Sequence, residues 1–125
     1  MHSSFLICLV VVATSATQMD PKETVNVRLG DSLTLSVPGS TRVWFRALRN
    51  GESELLPGCD AGWGFPCDVW KSENTNLANP STVHFNSQSG SFTMPRVTSA
   101  DSGEYNTFYT RGGETYVKHF EVNVN

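Results

Sequence analysis

The chain has 125 residues, 38% of them hydrophobic, with nine Lys or Arg against twelve Asp or Glu and a formal net charge of −3. The charges are dispersed without a basic stripe, so composition gives no support to nucleic-acid or anionic-membrane binding. One short apolar run at the start and three cysteines point towards the secretory route.

Phe5 to Ala13 is an unbroken apolar run, followed by the small residues Thr14, Ser15, Ala16 and Thr17. It reads as a signal peptide over residues 1–16, with one domain over 17–125. The run falls short of the roughly 20 apolar residues that cross a bilayer. A retained anchor is the alternative, because only His2 and the amine charge the first region. The last residues, Lys118 to Asn125, alternate and are polar. The expected product is soluble, secreted and extracellular, without a membrane span. Cys8 leaves with the leader, and secretion favours a disulfide between Cys59 and Cys67. Closing so short a loop is worth roughly 2–3 kcal/mol in the chain-entropy model. A two-cysteine zinc site is the rival, but two further ligands at suitable spacing are missing.

The remaining chain reads as all β. Thr24 to Arg28 alternates, Gly30-Asp31 turns, and Ser32 to Val37 alternates with Leu33, Leu35 and Val37 on one side. Arg42 to Leu48 is an apolar-rich strand centred on Trp44, and Asn50-Gly51 is a hairpin signal before a short strand at Ser53 to Leu56. Residues 57–80 form a long irregular stretch holding both remaining cysteines, the kind of segment that is often functional. Thr82 to Asn86 and Ser91 to Val97 are two further strands. Tyr105 to Arg111 and Thr115 to Val124 follow, joined at Gly112-Gly113. No helix is predicted.

The run from Val97 to Thr107 holds Asp101, Gly103 and Tyr105 in the spacing Asp-x-Gly-x-Tyr. An ordinary turn before a strand is one reading. The run also resembles the corner between strands E and F of an immunoglobulin-like domain, where Asp-x-Gly-x-Tyr-x-Cys is usual. Thr107 stands at the place of the cysteine. Gly30 to Val37 resembles the family's B strand, with Val37 where the first core cysteine belongs, and Trp44 resembles the strand-C tryptophan. The resemblance covers nearly all of residues 22–125 and is nearer to variable or intermediate types than to constant ones. It implies a β-sandwich of two antiparallel sheets, with the Tyr105 ring in the core and its hydroxyl bonded to backbone upstream. It also implies a core without the usual B–F disulfide, in which a buried Thr107 hydroxyl needs a partner. Trp44 follows Val37 by seven residues, which clips the B–C loop and argues against antigen-style recognition at that end.

No catalytic constellation is found. Ser102-Gly103 is not a nucleophile elbow, no His sits in a general-base context, and no phosphate or calcium loop occurs. The chain is read as no enzyme, with no cofactor and no metal. Two surfaces are candidates for recognition. One is the Cys59–Cys67 loop, where Gly62 and Gly64 cannot shield Trp63 and Phe65 beside them and a bridge would preorganise the loop. The alternative is that Trp63, Phe65 and Trp70 fold back and cap the sandwich. The other is the outward face of the C–F–G sheet, carrying Phe45 and Phe108. In variable-type domains the matching face commonly mediates pairing, so the resemblance implies a receptor contact or a second copy as partner. The leading reading is a secreted recognition module in adhesion, signalling or defence. The alternatives are a secreted effector or enzyme inhibitor using the bridged loop, and an extracellular-matrix component.

Overall fold

The computed structural model describes residues 17–62 and 64–125. The leader reading over 1–16 and the candidate Trp63 lie outside the described residues. Among the described residues there are ten strands: β1 Gln18–Met19, β2 Glu23–Val27, β3 Leu33–Ser36, β4 Val43–Leu48, β5 Ser53–Pro57, β6 Lys71–Ser72, β7 His84–Asn86, β8 Ser91–Met94, β9 Gly103–Arg111 and β10 Glu114–Val124. One sheet runs β1-β10-β9-β4-β5-β6, with β2 also on β10, and the other runs β3-β8-β7. The expected all-β sandwich is present. Most pairs are antiparallel, but β1 and β2 both run parallel to β10, so the larger sheet is mixed. The two-residue strands β1 and β6 had no sequence signal. Strands that short hold no pattern of their own and exist only through their neighbours.

Alternation decides what enters the core. Leu33 and Leu35, with Val37 just beyond the strand, enter from one sheet; Trp44, Tyr105, Phe120 and Val122 enter from the other. The register pairs Trp44 with Thr107 and Arg46 with Tyr105, so these four face inward together. Aromatic rings fill the space between the sheets. Trp44 meets Phe92 edge-on at 4.9 Å, and Trp70 meets Phe92 at 5.5 Å and Tyr105 at 5.8 Å.

Val37 and Thr107 are both buried, at 5% and 0% exposure. The Thr107 hydroxyl donates to the Val43 carbonyl at 2.7 Å. The buried Thr41 hydroxyl beside it donates to the Phe108 carbonyl at 2.8 Å. Each oxygen that burial removes from water therefore has a partner, which offsets the desolvation cost.

The corner after β8 is held by charge. A 3-10 turn at Ser99–Asp101 places the Asp101 carboxylate on the Thr98 amide at 2.8 Å. The Tyr105 hydroxyl donates to the Asp101 carbonyl at 2.5 Å. Gly103 lies against β4 so closely that a Cβ there would stand 2.4 Å from the Ala47 carbonyl oxygen, so only glycine fits. Arg46 joins the corner to the rest of the core. Its Nε and Nη2 donate to Glu54 at 2.9 and 2.6 Å, and its Nη1 donates to Asp101 at 3.1 Å and Tyr105 at 3.0 Å. The guanidinium also lies 4.2 Å over the Trp70 ring.

Burial pushes the Tyr105 hydroxyl up to about 12, opposed by the adjacent Arg46. Burial likewise pushes Tyr109 up to about 12, helped by its hydrogen bond to Asp20. An unfolded tyrosine ionises near 10. Both folded values are raised, so this stabilisation is complete below pH 10 and is lost as the pH rises through about 12. For the fully buried Tyr105 the loss is on the order of 2–3 kcal/mol. These two groups are expected to leave the denaturation midpoint unchanged as the pH approaches 10 from neutrality and to lower it above, with tyrosinate absorbance rising as the fold is lost. Tyr105→Phe should flatten part of that fall, and an unchanged slope would refute the assignment.

Candidate recognition surface

The outward face of the larger sheet is built by the residues between the core positions. From β4 these are Val43, Phe45 and Ala47, and from β9 Asn106, Phe108 and Thr110. Phe108 is 53% exposed although it sits mid-strand. Its register partner on β10 is Val117, which is buried, as is Val43 on the adjoining strand β4. Phe108 therefore rises from an apolar floor. Phe45, paired with Asn106, is half-buried. The Lys22–Glu104 ion pair at 2.8 Å lies on its polar margin.

The bridged loop fills the connection between β5 and β6. Cys59 and Cys67 form the expected disulfide, with Cα atoms 5.0 Å apart. The Gly58 amide donates to Arg42 at 3.0 Å, and the Asp68 amide to Pro57 at 2.7 Å, so both ends of the loop are pinned to the sheet. Gly62 and Gly64 have φ of 76° and 83°, conformations that favour glycine. Phe65 is 84% exposed. Its carbonyl accepts from the Asn76 side chain at 3.3 Å, next to Leu77, which is 70% exposed. Of the three aromatics considered as caps, Trp70 turns inward and is fully buried, while Phe65 does not.

Sequence reasoning missed two features. The inward Arg46–Glu54–Asp101 cluster was legible in part, since alternation puts Arg46 on the side of Trp44 and Leu48. A groove of about 350 Å³ at the start of β4, bordered by Arg42 and Phe108, had no local signal. Among the described residues, no group of His, Cys, Asp and Glu is arranged to hold a metal. No helix among them is long and apolar enough to cross a membrane.

No family model matches the chain, and no curated protein does. Solved structures do. The extracellular portion of mouse CD200RLa is 12% identical over 83% of this chain, with a TM-score of 0.54. The extracellular fragment of novel immune-type receptor 10 from Ictalurus punctatus is 14% identical over 82% of this chain and 97% of its own length, with a TM-score of 0.51. The CD2-binding domain of CD58 is 17% identical over 83% of this chain, with a TM-score of 0.48. The chain spans only 56% of the CD200RLa chain and 54% of the CD58 chain. At such identities the likeness concerns the fold, which is immunoglobulin-like.

Proposed function

We propose that this immunoglobulin-like domain is a secreted, extracellular recognition module that binds a protein partner non-covalently. The observation that carries the reading is the pair of exposed aromatics on constrained backbone. Phe108 stands on a central strand, and Phe65 stands on a disulfide-closed loop. Aromatic side chains are enriched at protein interfaces relative to the rest of the surface. Both are held in place before binding, which lowers the ordering cost. The two neighbouring structures of mouse CD200RLa and novel immune-type receptor 10 are extracellular portions, which supports a protein partner over a chemical substrate.

The immobilised domain is expected to capture a partner from native extracellular fluid. Phe108→Ala or Phe65→Ala should each weaken that capture by about 2 kcal/mol or more if the ring is an anchor, with the melting temperature little changed. Identical capture by both variants and the parent would remove both surfaces from consideration. The same reading takes residues 1–16 as the leader and 17–125 as the domain. Peptide mass mapping of secreted material should find a first residue near Thr17, and a retained Cys8 would contradict it.

A further inference from the structure

Between the chain entering β4 and the far half of β9 lies the groove lined by Ser40, Arg42, Phe108, Thr110 and Thr115. Three kinds of chemistry meet there. Ser40, Thr110 and Thr115 carry hydroxyls, each both donor and acceptor. Phe108 presents an exposed ring. Arg42 is exposed, and among the described residues no carboxylate lies within ion-pairing distance of its guanidinium. No Asp or Glu lines this groove. Asp60, in the neighbouring groove that shares Arg42, accepts the Ser87 hydroxyl at 3.1 Å. In a chain of net charge −3, this groove offers a free cation and no anion.

We infer that the groove binds the carboxylated pyranose at the end of a glycan chain carried by that protein partner. A guanidinium matches a carboxylate in bidentate geometry. The hydroxyls complement those of a sugar ring, and the aromatic ring takes its apolar C–H face. An extended peptide fits less well. β9 lies between β10 and β4, and β4 lies between β9 and β5, so neither has an open edge for strand addition. Ser40 is itself bridged to Thr110, with their hydroxyls 3.2 Å apart. The inference deepens the reading of Phe108 as a contact residue and rests on it.

The test is an NMR titration of the isotope-labelled 17–125 domain with methyl β-glucuronide, methyl β-glucoside and acetate. The glucuronide is expected to give saturable shifts at Ser40, Thr110 and Thr115. Arg42→Gln should weaken it about tenfold or more, the scale of one charged hydrogen bond. The neutral glucoside should bind weaker by a similar factor, and acetate should give no saturable shift. Phe108→Ala should weaken the glucuronide without moving the melting temperature. Equal binding of the glucoside or of acetate would overturn the inference, as would a glucuronide response unchanged by Arg42→Gln, or none. Phe108-dependent capture of a protein partner without any glucuronide response overturns this inference and leaves the reading of the face standing, so the two fail separately.

Discussion

Arg46→Ala is expected to cost about 3–5 kcal/mol of stability, because it strands two buried carboxylates. Glu54 and Asp101 are both buried, and Arg46 is the cation that pairs with both from between them, alongside the Asn79 amide on Glu54 and the Thr98 amide on Asp101. Domains of this size hold roughly 5–15 kcal/mol in total, so the variant should be near its unfolding midpoint at ambient temperature. Arg46→Lys keeps the charge, but one ammonium cannot reproduce the fork that reaches Glu54, Asp101 and Tyr105 together. It should fall between parent and Arg46→Ala in a urea titration. A combined Arg46→Met, Glu54→Leu, Asp101→Asn chain should recover part of the loss, since neither carboxylate is then left buried without its cation. A loss below about 1 kcal/mol for Arg46→Ala would show that water or neighbouring groups relieve the carboxylates.

The second large effect separates two aromatics of one irregular stretch. Trp70→Ala is expected to cost about 3–5 kcal/mol, the range for emptying a large buried aromatic site. It removes the contacts with Phe92 and Tyr105 and uncovers the Arg46 guanidinium. Phe65→Ala, five residues earlier in the chain, should lie within about 0.5 kcal/mol of the parent, as exposed positions do. Matched thermal melts of the two variants check the pair. Equal losses would mean that Phe65 packs in solution and would withdraw it as a contact residue.

Such contrasts show where local pattern stops informing. The strand alternation at Ser32 to Val37 and from Gly103 to Val124 is a backbone property: side chains two apart share a face, so the core side is readable without any partner. The corner at Asp101, Gly103 and Tyr105 is equally legible, because its hydrogen bonds close within a few residues. The disulfide was readable from cysteine count and proximity. Phe108 was placed outward by the same alternation that placed Tyr105 and Thr107 inward.

The irregular stretch behaved differently. Phe65 and Trp70 lie in one irregular stretch, where no strand alternation separates an exposed ring from a buried one. Trp70 turned inward because Phe92, Tyr105 and Arg46, all distant in sequence, offer it a cavity. Thr107 found its partners in Val43 and Thr41, on a strand and a loop more than sixty residues away. Arg42 and Phe108 share a groove only because β4 lies beside β9. Alternation is set by the covalent backbone and holds wherever a strand forms. The meeting of side chains across the sandwich depends on which strands become neighbours, and that is decided by burial summed over the whole chain.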